Sequence, residues 1–139
     1  MSLFESEFEF SIAFHDLDPM DVVWHGNYVK YMEQARCDML NKIGYNYYDM
    51  KNDDMAYPVA KMKTKFIRPL TYNQEVKIVS TLEEIEPTLT IKYKIFDKNS
   101  GDKVFEGETV QIGVRISTRE TVYSPSETLK KLLGVKDEV

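Results

Sequence analysis

Residues 27–43 restrict the fold of this 139-residue chain more than any other stretch. Tyr28, Met32, Ala35, Met39 and Ile43 recur at three- and four-residue steps and form one apolar stripe, which Tyr31 and Leu40 widen. Asn27 or Gly26 suits the N-cap. Gly44 suits the position after the last turn, where a left-handed backbone costs glycine little. Asp38 and Lys42 form an i,i+4 pair of favourable polarity, worth only a few tenths of a kcal/mol. A helix is therefore predicted from Asn27 to about Ile43. No other segment carries a helical period of that length, so one long helix must find its apolar partner in a sheet.

The rest of the chain supplies that sheet. Residues 8–15 place Phe8, Phe10, Ile12 and Phe14 on one face at period two. Residues 57–68, 75–84, 88–97 and 103–116 are strand-like runs with hairpin-length gaps between them. The segment 97–103 is a hairpin loop in which Gly101 supplies positive φ. Gly107 and Gly113 inside the last run mark a bulge or a close backbone approach. Residues 121–123 extend the sheet, and residues 45–56 read as a short irregular connection. Ser124-Pro125-Ser126-Glu127 has the pattern of a capping box with proline at the first helical position. A short helix then runs through Leu129, Leu132 and Leu133 and ends near Gly134. Contiguous strands and a single long helix predict an α+β fold with an antiparallel sheet, rather than βαβ winding. Residues 1–139 read as one domain.

Charge and composition remove several functions. Lys plus Arg is 18 against 23 for Asp plus Glu, a formal net charge of −5. No nucleic-acid partner is expected, because such a partner needs a basic face. With one Cys and two His, a disulfide framework, a Cys-rich zinc site and a multi-histidine metal centre are all unexpected. No apolar run approaches the ~20 residues of a membrane span. The opening MSLFESEFEF carries acids where an export signal carries bases, so a cytoplasmic protein is expected.

Residues 14–36 are the most unusual stretch. Asp16, Asp18 and Asp21 fall just before the long helix, with His25 between them and its start. Clustered acids repel one another and need a compensating dipole, which a helix N-terminus provides. A carboxylate beside unpaired amide donors is a workable hydrolytic arrangement: the donors hold a developing oxyanion, and the acid attacks or activates water. Asp18 equally suits a turn, since Asp-Pro is common turn chemistry. Asp16 reads as structural, a strand-end acid bonded to backbone amides. His15 reads as a satisfied structural residue. A metal site is not expected, because Pro19 breaks the calcium-loop spacing and no glutamate stands at the bidentate position. Glu33 and Arg36 read as an i,i+3 ion pair on a solvent or interface face. Lys61, Lys63 and Lys65 read as one solvated strand face, with a carrier footprint as the functional alternative.

The run D-x-D-P-M-D-V-V-W-H-G-N-Y-x-x-Y-x-E-x-A-R, residues 16–36, resembles the signature of the 4-hydroxybenzoyl-CoA thioesterase-like branch of the hotdog-fold superfamily. The resemblance implies a hotdog fold, a curved antiparallel sheet wrapped around one long central helix. It implies a homodimer or homotetramer with sites at the subunit interface. It also implies hydrolysis of an acyl-CoA or acyl-carrier-protein thioester with no metal and no organic cofactor. Carried over residue by residue, Asp18 matches the catalytic carboxylate, as nucleophile or general base. His25 matches the catalytic residue that opens the helix, its backbone N–H facing the thioester carbonyl. Asn27 and Tyr28 match the substrate-binding pair at the helix start. Glu33 matches a helix acid at the acyl end of the substrate.

Two departures stand out. Asp21 occupies a position where the family usually has glycine, which calls for a side chain turned away or a loop of another shape. The stretch where relatives carry a basic cluster for the CoA phosphates reads EEIEPTLT and holds no base. Lys61, Lys63, Lys65 and Arg68, or an acidic carrier protein as the thiol donor, are the expected substitutes. A hotdog dehydratase using His25 with Asp18, and a non-catalytic acyl-binding or carrier-docking module, are the alternative readings.

Overall fold

A computed structural model describes residues 2–135. The chain runs β1 (Phe4–Ser11), a 3₁₀ turn (Phe14–Asp16), α1 (Asn27–Ile43), α2 (Tyr47–Asn52), β2 (Met55–Ala56), β3 (Val59–Phe66), β4 (Glu75–Glu84), β5 (Leu89–Asp97), β6 (Lys103–Gln111), β7 (Gly113–Arg115), β8 (Thr121–Val122) and α3 (Glu127–Leu133). Five strands form one antiparallel sheet in the order β1-β4-β5-β6-β3. β2, β7 and β8 form a second, small antiparallel sheet.

Register explains where α1 sits. Phe8, Ile78, Ile95, Phe105 and Phe66 are cross-strand partners in one row over all five strands. Because side chains alternate faces, the next row, Glu7, Val79, Lys94, Glu106 and Lys65, points the other way. One face is thus apolar and the other charged. Met32, Ala35, Met39 and Leu40 of α1 are buried together with Val76, Ile78, Leu82, Ile91 and Ile95 of the sheet. Tyr28 stacks on Phe105 with centroids 4.8 Å apart. Each such buried Val, Leu, Ile, Met or Phe side chain contributes ~1.5–3 kcal/mol through area removed from water.

Gly107 lets the helix come this close. A Cβ there would lie 2.5 Å from Met32 Sδ, so the expected close approach is present. The helix bounds also match the expectation: Gly26 is the N-cap and Gly44, at φ 93°, closes the last turn. The Asp38–Lys42 pair forms at 2.8 Å.

Several boundaries differ. The expected strand at 8–15 runs from Phe4 to Ser11 instead, because its partner β4 begins at Glu75, opposite Ser11. Phe14 turns outward and is exposed. The expected irregular stretch at 45–56 holds α2 and β2. Asn46 caps α2, accepting from the N–H groups of Tyr48 and Asp49, and Asp49 answers by accepting from Asn46 N–H. The expected single strand at 103–116 breaks at Ile112, whose N–H turns to Pro58 O. Ser126, not Ser124, caps α3, through Leu129 N–H to Ser126 Oγ at 3.2 Å.

The two long-sheet edges are unequal. On β1, Phe8 and Phe10 pack against the core, with Phe10 4.8 Å from the Tyr31 ring. On β3 every residue is exposed, including the apolar Val59, Met62 and Phe66.

Candidate active site

The chain between the 3₁₀ turn and α1 is a tight, self-bonded loop. Leu17 and Val23 form an antiparallel bridge. Asp18 N–H donates to Val22 O at 2.8 Å, and Asp21 N–H donates to Asp18 O at 3.0 Å. Met20 N–H donates to Asp18 Oδ1 at 2.8 Å, the Asx-type contact that Asp-Pro turns favour. That contact fixes one carboxylate oxygen of Asp18 and leaves Oδ2 without an acceptor role among the described residues. Asp21 has φ 63°. A left-handed residue closes the turn, and aspartate is one of the few side chains that adopt that region readily. Asp21 is exposed, so its side chain points away from the loop while its backbone takes the left-handed shape.

The start of α1 differs in detail from the expectation. The N–H groups of Asn27, Tyr28 and Val29 are not free; they turn back to the carbonyls of Trp24, His25 and Gly26 at 2.9, 3.3 and 3.3 Å. Among the described residues, the N–H groups of His25 and Gly26 have no acceptor. The unpaired donors therefore sit one step earlier than the helix proper. Gly26 also makes room for Trp24, since a Cβ there would lie 2.3 Å from the indole.

Asp18, His25 and Tyr28 line one open cavity of about 320 Å³ together with Phe66 and Arg68. Asn27 and Glu33 do not line it. Asn27 Nδ2 donates instead to Asp16 O at 2.8 Å. Glu33 is half exposed on the next turns of α1 and pairs with Arg36 at 3.0 Å. That pair was expected on a solvent or interface face; the Glu33 side chain is 55% exposed, but the Arg36 side chain is only 5% exposed. Its guanidinium also donates to Tyr47 Oη at 3.0 Å, so α2, missing from the sequence reading, supplies the partner that lets it be buried. Arg68 stands at the cavity rim, paired with Asp102 at 2.8 Å.

Asp16 is buried, as a structural role requires, but its partners are not backbone amides. Its carboxylate accepts from Lys30 Nζ at 2.5 Å and from Tyr31 Oη at 2.8 Å. Burial pushes this carboxyl up, yet Lys30 and Tyr31 outweigh burial and hold it below its ordinary value. His15, expected to be a satisfied structural residue, has a side chain that is 82% exposed. Lys61, Lys63 and Lys65 lie on the charged outer face, opposite Val110, Glu108 and Glu106 of β6. Lys63 and Lys65 line a shallow groove there with Lys92, Lys94, Glu106 and Glu108. Among the described residues, no three of His, Cys, Asp and Glu come together as a metal-binding group, and no helix is long and apolar enough to cross a membrane.

A five-stranded antiparallel sheet against one long helix, with a short acidic loop leading into that helix, defines a hotdog-fold protein of the thioesterase type. The chain belongs to the thioesterase-like superfamily, whose profile matches residues 12–132. YneP of Bacillus subtilis is 26% identical over 86 residues, covering 62% of each chain. The acyl-CoA thioesterase YbgC of Helicobacter pylori is 25% identical over 83 residues, covering 60% of each. The alignments thus span about three fifths of the length of these relatives. The DHNA-CoA thioesterase of Staphylococcus aureus superimposes with a TM-score of 0.78 at 28% identity, over 86% of this chain and 80% of that one.

Proposed function

We propose that the chain hydrolyses acyl thioesters of CoA or of an acyl-carrier protein, with Asp18 as the reacting carboxylate. One observation carries this reading: Asp18 and His25 line the same cleft, and the N–H groups of His25 and the adjacent Gly26 have no acceptor among the described residues. A thioester carbonyl set against those two donors gains the most as its oxygen becomes an oxyanion, which is when the barrier is crossed. Asp18 Oδ2 then either attacks the carbonyl carbon, giving a mixed anhydride that water cleaves, or takes a proton from the water that attacks. In both routes the C–S bond breaks, the thiol leaves with a proton, and the free acid remains. A thiol burst at high enzyme concentration marks the covalent route if the anhydride is cleaved slowly.

His25 serves through its backbone donor, with its exposed ring beside the leaving thiol. Tyr28 forms the cavity wall for the acyl group. Asn27 acts indirectly, by tying the first turn of α1 to Asp16 O. Glu33 meets the distal acyl end only in an assembled dimer. The open β3 edge supports such a homodimer: pairing it with a second β3 covers Val59, Met62 and Phe66 and completes the cavity wall. Two dimers give the tetramer. Residues 1–139 act in this reading as one thioesterase domain working on the cytoplasmic thioester pool.

The test is a panel of acyl-CoA and acyl-carrier-protein thioesters assayed for thiol release. Release by the wild-type chain, abolished in Asp18→Asn, supports the reading. Equal release by Asp18→Asn removes Asp18 from its role, and no release from any member removes the activity. An enoyl thioester formed without thiol marks dehydration instead.

A further inference from the structure

We propose that Asp16 is a positioning residue for Asp18: its buried side chain clamps the loop 17–23 to the first turns of α1 and so fixes the Asp18 carboxylate relative to the His25 and Gly26 N–H groups. This inference rests on the thioester-hydrolysis reading above.

All three Asp16 oxygens accept hydrogen bonds, and together they tie the end of the loop to α1. Oδ1 takes Lys30 Nζ at 2.5 Å and Oδ2 takes Tyr31 Oη at 2.8 Å, both from α1. Its main-chain oxygen takes Trp24 N–H at 3.0 Å, from the far end of the loop, and Asn27 Nδ2 at 2.8 Å, from the first residue of α1. Asp16 is 4% exposed, so these bonds are shielded from water. The loop itself has its own short ladder, from the Leu17–Val23 bridge to the Asp18–Val22 bond. That ladder spans residues 17–23 only; His25 and Gly26 lie outside it, bonded into the start of α1, and Asp16 is where the ladder and that helix start are fastened together. Val23 N–H to Leu70 O, at 2.8 Å, is the ladder's other anchor. A displacement of ~1 Å between nucleophile and oxyanion donors is enough to cost turnover heavily.

The titratable or charged groups facing the Asp16 carboxylate are Lys30 and Tyr31 from α1 and His15 from its own turn, 3.6 Å away. Burial and the Asp16 carboxylate together push the Tyr31 hydroxyl up, so it remains a donor throughout the working range. Lys30 is the one permanent cation among the three. Its removal leaves burial opposed only by Tyr31 and the exposed His15, and the Asp16 carboxyl must then titrate at a higher pH.

The deciding experiment is the kcat–pH profile of Lys30→Met, a half-exposed position that the fold tolerates, on a thioester the wild type hydrolyses. The expected result is an acid limb moved to higher pH, with turnover recovered above it. Asp16→Asn, checked for folding by circular dichroism, should lose about thirtyfold in kcat while KM changes by less than about threefold. A role in stability alone would lower the unfolding temperature and leave both readouts at wild type. An acid limb in Lys30→Met that coincides with the wild-type limb overturns the inference, and so does a folded Asp16→Asn with wild-type kcat. If Asp16→Asn does not fold, the Lys30→Met profile decides alone. Absence of thiol release from the wild type overturns the hydrolytic reading and this inference together; wild-type release with both variants unaffected overturns only the inference.

Discussion

The five-stranded sheet ends differently on its two sides. At β1 the inner phenylalanines are covered by α1, and the outer face carries Glu5, Glu7 and Glu9, which discourage another strand from pairing. At β3 the outer face carries lysines, but the inner Met62 and Phe66 are left uncovered. The same apolar row that begins packed against the core at Phe8 ends half exposed at Phe66. The candidate cavity opens on that second side, between the acidic loop and Phe66. One edge is covered within the chain; the other is open and borders the candidate cavity.

This contrast can be broken or sharpened by substitution. The largest effect is expected for Asp18→Asn, a loss of about a thousandfold or more in kcat with the fold retained, read as thiol release. Next comes Met62→Asp on the open edge. It should shift the chain to monomer in sedimentation and cost about tenfold or more in activity, because a charge cannot be buried unpaired between strands. If Met62→Asp stays dimeric and fully active, the edge is not where copies meet. Arg68→Ser at the cavity rim should raise KM a few-fold for CoA thioesters and leave kcat alone, the pattern of lost uniform binding. Glu7→Lys on the closed edge should change neither association nor turnover, with stability altered by less than about 0.5 kcal/mol.

Acid sensitivity belongs to the loop side as well. The Asp16 carboxyl is held below its ordinary value of 3.8 in the folded chain. Its contribution to stability is therefore fully present above that value and is lost as pH falls through the lower folded value. The wild-type chain should show a steeper loss of stability below about pH 4 than Asp16→Asn, measured by urea unfolding at stepped pH.

Much of this architecture is written locally. The Asn27–Ile43 helix needed only its period and its flanking glycines, and the alternation of β4 and β5 needed only their own residues. The helix α2 was not visible, because Tyr47–Asn52 is short and has no apolar period; the one local signal was Asn46 with Asp49 three residues on. The break at Ile112 depends on Pro58, a partner 54 residues away in sequence. Burial of Arg36 likewise depends on Tyr47, which only the unseen helix brings near. At the site, the placement of Asp18 and His25 followed from the motif. Which amides stay unpaired did not, since it depends on how residues 24–29 bond among themselves. The partners of Asp16 were missed for a similar reason: Lys30 and Tyr31 reach it only because the loop folds back over the helix start.

The backbone at Asp21 carries a consequence for how a saturation library of this loop would look. A residue held at φ 63° filters replacements by the shape of their main chain before any reaction is involved. Glycine and asparagine should survive there, whereas valine and isoleucine should vanish. That narrow tolerance would mimic a catalytic position while recording only the handedness of a bend, and the neighbouring tolerance profile at Asp18 should be read against it.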